Sequence, residues 1–123
     1  MSRVSLFILR GHHHPPPGIA PAIPIPPADF QKFTKIPIQI IYGDNIPAQP
    51  NNPYPGLNFW ANSVQAANAF MATINAMGGN AQVVMLPDKG LHGNTHFAFS
   101  DLNNVQVADL LSAFLKQNNL DRR

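Results

Sequence analysis

Proline divides this chain into two parts of different character. Twelve of its 13 prolines lie at or before Pro55, and seven of them fall within residues 11–27. Each proline fixes φ and removes a backbone hydrogen-bond donor, so neither a helix nor a central strand is expected where prolines are dense. We therefore predict that residues 1–32 form a Pro-rich segment that is extended or disordered, and that the folded part spans residues 33–123.

The composition excludes several classes of function. Charged residues make up 11% of the chain, against a typical ~25%, and the net charge is +2. Eight Lys and Arg residues give no basic stripe that could follow a phosphate backbone, so nucleic-acid binding is not expected. The absence of Cys excludes disulfides, thiolate zinc sites and a cysteine nucleophile.

Neither a membrane span nor an export signal is expected from the apolar runs. None approaches the ~20 residues that a membrane-spanning helix requires. Residues 4–9 form a short apolar stretch, whereas a secretory signal needs roughly 7–15 apolar residues and a small-residue cleavage site. The sequence therefore leaves the compartment open.

Hydrophobic periodicity predicts an α/β arrangement. Residues 36–42 and 81–86 are β-branched, mostly apolar runs, as in strands buried on both faces. Residues 59–77 and 103–117 repeat apolar side chains at helical steps, and Gly78 and Gly79 are expected to end the first of these helices. A strand, a helix and a second strand in this order imply parallel strands with a right-handed crossover.

The last helix has a predicted buried face and a predicted cap. The apolar residues assigned to that face are Val105, Ala108, Leu111, Phe114 and Leu115. The residues assigned as candidate N-terminal caps are Ser100, Asp101 and Asn103. Short oxygen-bearing side chains at this point commonly bind the free N–H groups of the first helical turn.

Two loops at the same edge of the predicted sheet carry residues suited to acid–base chemistry. Asp44 follows the first strand, and His92 and His96 follow the second. An Asp that accepts the Nδ1–H of a His, fixes its tautomer and stabilises the imidazolium is the acid–base half of a nucleophilic triad. Ordinary turn chemistry explains the same residue types, so both interpretations stay open at this point.

Four segments carry a resemblance to a known family. They are KIPIQIIYGDNIP at 35–47, NAMGGNA at 75–81, VVMLPDKGLHGNTHFAFSDLNN at 83–104 and VADLLSAFL at 107–115, and the most specific part is GNTHF at 93–97. From about residue 33 onward, the chain resembles the C-terminal third of an α/β-hydrolase of the serine esterase or lipase-like branch. The resemblance implies a partial α/β-hydrolase fold, with the last two parallel strands and their helices preceded by the Pro-rich irregular segment.

The same resemblance implies a function and site residues. It assigns Asp44 as the triad acid and His96 as the base, with Phe97 placed to wall the imidazole. Carboxylic esters are the implied substrates, and related hydrolases are often secreted or periplasmic. His92 is the alternative base, and the alternative acid would come from an earlier strand that this chain lacks. The resemblance implies no cofactor.

One element of the family pattern is missing. The nucleophile elbow G-x-S-x-G does not occur, since no serine in the chain has glycine both two positions before and two positions after it. We therefore expect a serine-hydrolase fragment that is inactive alone. The alternatives are a non-catalytic α/β interaction module derived from a hydrolase, and a Pro-rich segment attached to a small α/β unit of unknown role.

The expected partners follow from the missing part of the fold. Open, apolar strand edges favour self-association or a partner chain that supplies the rest of the sheet, and a completed site would take a small ester. No metal site is expected at His12, His13 and His14, because consecutive side chains on an extended chain alternate sides.

Overall fold

The computed structural model describes residues 24–122, so the His12–His14 run lies outside the described part of the chain. Two strands, β1 and β2, pair in a two-stranded parallel sheet, which confirms the predicted α/β arrangement. In chain order the elements of these residues are α1 (Pro27–Gln31), a 3₁₀ helix (Lys32–Lys35), β1 (Pro37–Tyr42), α2 (Pro55–Ala76), β2 (Asn80–Met85), 3₁₀ helices at Leu86–Lys89 and Ala98–Ser100, and α3 (Asn104–Gln117).

Helix α1 corrects the prediction of an extended segment through residue 32. Pro27 stands in its first turn, where a missing N–H costs nothing because that group has no partner within the helix. The N–H groups of Asp29 and Phe30 donate to the Pro26 carbonyl at 3.0 and 3.1 Å. The extended prediction is wrong for these five helical residues. The division of the chain at residue 32 stays a prediction.

The chain divides into two compact units, the first of which contains the described residues up to 38 together with residues 46–82. Its core consists of buried Phe30, Ile74 and Ala81, with partly buried Ile25, Phe33, Ile38, Phe70 and Met71 packed against them. The three phenylalanine rings meet edge to face, with centroids 5.5–6.0 Å apart. Such ring pairs stabilise a core by about 0.5–1.5 kcal/mol each beyond their area burial.

Two glycines end α2, as predicted. Gly78 has a φ of +86°. The N–H groups of Gly78 and Gly79 donate to the carbonyls of Asn75 and Ile74 at 3.1 and 2.9 Å. This is the left-handed helix end that glycine adopts most easily. Among residues 24–122, neither α2 nor any other helix is long and apolar enough to span a bilayer.

The second unit contains residues 39–45 and the chain from residue 83 onward. Its core consists of buried Leu86, Ala98 and Val107, with partly buried Ile41, Leu91 and Leu110 packed against them. The predicted buried face of α3 is partly wrong, because Val105 is 66% and Leu111 37% exposed, whereas Val107 is fully buried. Phe114, which the prediction included, is buried.

Candidate active site

Gly43 allows two loops of the second unit to touch. It is buried directly after β1, and a Cβ at this position would lie 2.5 Å from the Thr95 carbonyl oxygen and 2.7 Å from that of Asn94. Because these atoms belong to the backbone, only glycine permits the approach. The neighbouring Asp44 N–H donates to the Asn94 carbonyl at 2.8 Å, which fixes the register of the two loops.

The carboxylate of Asp44 binds both loops. Oδ2 accepts the Gly93 N–H at 2.7 Å, and Oδ1 accepts the Asn45 N–H at 2.6 Å. These N–H groups, Gly93 first, lower the pKa of Asp44 below its ordinary value, and the charge of nearby His92 acts in the same direction. Asp44 is therefore ionised at neutral pH, as a triad acid must be.

His92 lies beside the Asp44 carboxylate. Its Nδ1 lies 3.8 Å from the Asp44 Oδ2, and its side chain is 69% exposed. That distance exceeds the ~3.2 Å limit of a normal N–H···O hydrogen bond. The contact is therefore an electrostatic one and not a hydrogen bond.

His96 lies four residues further along the same loop, with an exposed side chain. Its ring faces that of Phe97, with centroids 4.2 Å apart and planes tilted by 42°. The Phe97 ring thus covers one side of the imidazole, as expected from the sequence. The structure places Asp44 and both histidines in one unit, and the pairing of Asp44 with His96 stays a prediction.

Two further polar pairs, not predicted from the sequence, hold the loop around His96. The Thr95 N–H and hydroxyl both donate to the carboxylate of Asp101, at 2.8 and 3.0 Å. Asn94, which is 2% exposed, exchanges two side-chain amide hydrogen bonds with Asn103.

The prediction that Asp101 or Asn103 caps α3 is wrong. The N-terminus of α3 has no side-chain cap, since both side chains bind the loop instead.

Among residues 24–122, no serine stands on a strand-to-helix turn, as the nucleophile of this fold does. Ser63 and Ser112 lie within α2 and α3, and Ser100 ends a 3₁₀ helix. Within residues 24–122, no three His, Asp or Glu side chains are grouped in a way that could hold a metal ion.

Comparison with known proteins identifies the fold. No protein-family model and no curated protein matches the chain. Among solved structures, a bacterial esterase determined at atomic resolution matches 75% of the chain at 38% sequence identity, with a TM-score of 0.63. The chain has a partial α/β-hydrolase fold of the esterase-like kind. The match to an esterase confirms the esterase-like resemblance found in the sequence.

The match covers only a part of the esterase. The chain spans 26% of the length of the esterase. Substrate pockets in α/β sheets are built by loops from several strands, most of which lie in the part of the esterase that the chain does not match. The match therefore supports a hydrolase-like ancestry for the chain.

Proposed function

We propose that this chain provides the base and the acid of an ester-hydrolysing active site, with His96 as the base and Asp44 as the acid. The observation that carries the proposal is the 38% identity to a bacterial esterase over 75% of the chain. The contact between the Asp44 turn and residues 93–94 gives this proposal a physical basis, since it holds the carboxylate beside the histidine-bearing loop.

The proposed chemistry assigns one task to each side chain. Asp44, kept ionised by two backbone N–H donors, accepts the Nδ1–H of His96 and so leaves Nε2 unprotonated. Nε2 then removes the proton of a serine hydroxyl as that oxygen attacks the ester carbonyl. The imidazolium that forms is stabilised by the Asp44 charge, and its proton is passed to the departing alcohol.

His92 is the competing base. Its Nδ1 is already 3.8 Å from the Asp44 carboxylate, so a movement of about 1 Å would form a hydrogen bond of normal length. We assign His96 because it stands within GNTHF, the segment in which the resemblance is most specific.

The nucleophile in this proposal lies outside these 123 residues, because G-x-S-x-G is absent from them. The chain alone then shows no ester hydrolysis above background. We further propose that a partner chain, or a second copy, supplies the missing neighbours of the sheet. Only a partner chain that carries the nucleophile completes the site, which then takes a small ester.

The proposal is tested in a hybrid enzyme. Residues 33–123 replace the matching quarter of the bacterial esterase, and hydrolysis of p-nitrophenyl acetate is measured. His96→Ala should lower kcat by at least about 10³-fold, as loss of a triad member does, whereas His92→Ala should leave at least a third of the activity. If the hybrid is inactive, the full chain is co-expressed with the remaining three quarters of the esterase, and the same variants are measured in that complex. Equal activity of the His96→Ala variant and the parent would refute the proposal.

A further inference from the structure

Asp101 controls the backbone on both sides of His96. Its carboxylate accepts the Thr95 N–H at 2.8 Å and the Thr95 hydroxyl at 3.0 Å. The hydroxyl oxygen in turn accepts the Phe97 N–H at 3.1 Å. A single carboxylate therefore fixes, directly or through one hydroxyl, the N–H groups of the residues before and after the histidine.

The backbone of Asp101 is held by the first turn of α3. The Asn104 N–H, in the first turn of α3, donates to the Asp101 carbonyl at 3.0 Å. Helix α3 is anchored by Val107, which is fully buried in the core of the second unit. The backbone of Asp101 is thus tied to a packed helix, which gives its carboxylate a rigid base from which to bind the loop.

We infer that Asp101 is a positioning residue for His96, acting through Thr95. This inference rests on the proposed function, because it gives the orientation of His96 a catalytic purpose. Threonine is well suited to the intermediate position, since one hydroxyl donates to Asp101 and accepts from the backbone two residues later. A 1 Å displacement of a catalytic group costs on the order of 100-fold in rate, so fixing this loop matters to a base.

The test uses the full chain, labelled with ¹⁵N, and two readouts by NMR. One readout is the hydrogen exchange rate of the Phe97 amide, and the other is the ¹⁵N signature of the His96 imidazole, which reports which nitrogen carries the proton. Thr95→Val removes the hydroxyl and keeps the branched shape, while Thr95→Ser retains the hydroxyl. Asp101→Asn removes the charge, and Asp109→Asn, at an exposed position of α3, is the matched control.

Thr95→Val and Asp101→Asn should accelerate Phe97 amide exchange about tenfold, as loss of one hydrogen bond implies, and should change the His96 imidazole signature. Thr95→Ser and Asp109→Asn should resemble the parent in both readouts. Unchanged β2 amide protection confirms that each variant is folded.

Two results would overturn the inference. Unchanged Phe97 exchange in Thr95→Val would show that the hydroxyl does not hold the loop. Faster exchange with an unchanged His96 signature would show that Asp101 supports the loop without positioning the histidine. A wrong assignment of Asp44 as the acid would give a different result from a wrong inference about Asp101. In that case Asp44→Asn would leave the His96 signature unchanged, while Asp101→Asn would still alter it.

Discussion

Asp44 and Gly93, which are 49 positions apart in the sequence, are joined by a 2.7 Å hydrogen bond from the Gly93 N–H to the Asp44 carboxylate. With the bond from the Asp44 N–H to the Asn94 carbonyl, it ties the turn after β1 to the histidine-bearing loop after β2. This is the geometry expected when two parallel strands end at the same edge of a sheet.

Gly43→Ala should destabilise the chain. The added Cβ would lie 2.5 Å from a backbone oxygen, so the two loops must separate, at a cost of about 1–3 kcal/mol. Gly56→Ala is the control, because a Cβ there meets nothing within 4 Å and alanine favours the helix. Urea unfolding at several protein concentrations measures both variants, and equal midpoints for the two would show that the loops do not depend on the close approach at Gly43.

Acid should remove the contribution of Asp44 to stability. Its pKa is lower in the folded chain than in the unfolded chain, so the stabilisation is fully present above about pH 4 and is lost as pH falls through the folded-state pKa. The difference in unfolding free energy between the parent and Asp44→Asn should therefore be largest near neutral pH and shrink in acid. A difference that stays constant down to about pH 2 would show that the carboxylate charge contributes nothing.

Asn94 and Asn103 should be energetically coupled. Asn94 is buried, and its amide makes its two shortest side-chain hydrogen bonds with Asn103, so truncation of either residue should cost about 1–3 kcal/mol. In a double-mutant cycle with alanine, the coupling energy should fall within about 0.5–3 kcal/mol. Additive effects of the two substitutions would mean that the amide pair carries no stability of its own.

Exposed apolar side chains at the start of α3 should promote self-association. Leu102 is fully exposed and Val105 is 66% exposed, and the chain carries few charges to oppose association. Leu102→Ser with Val105→Ser should raise the monomer fraction in analytical ultracentrifugation, whereas Gln106→Ser on the same helix should not. If the parent chain is already monomeric at high concentration, the proposed self-association is wrong.

The main elements were predictable because their hydrophobic periods differ. The runs around β1 and β2 are apolar without a helical period, and glycine marks the end of α2. Helix α1 was missed because proline both excludes a helix interior and favours a helix start, and the sequence does not show which role applies at Pro27.

The buried face of α3 and the loop contacts were harder to predict. Val107 and Phe114, two full turns apart, are buried on one face of α3, whereas Val105 stands on another side of the helix although it is equally apolar, so apolar residues alone do not mark the buried face. Asp101 fits the pattern of a helix cap equally well. Its contact with Thr95 depends on how the loop folds back, which local sequence does not encode.

The pairing of Asp44 with His96 is the central claim, and the ¹⁵N signature of the His96 imidazole tests it most directly. The full chain is labelled with ¹⁵N-histidine, and spectra of His92→Ala and His96→Ala assign the two rings. If the pairing exists, the neutral His96 ring carries its proton on Nδ1, and Asp44→Asn shifts it toward the Nε2–H tautomer. A His96 signature that does not respond to Asp44→Asn would contradict the claim, and a response of His92 alone would transfer the base role to that residue.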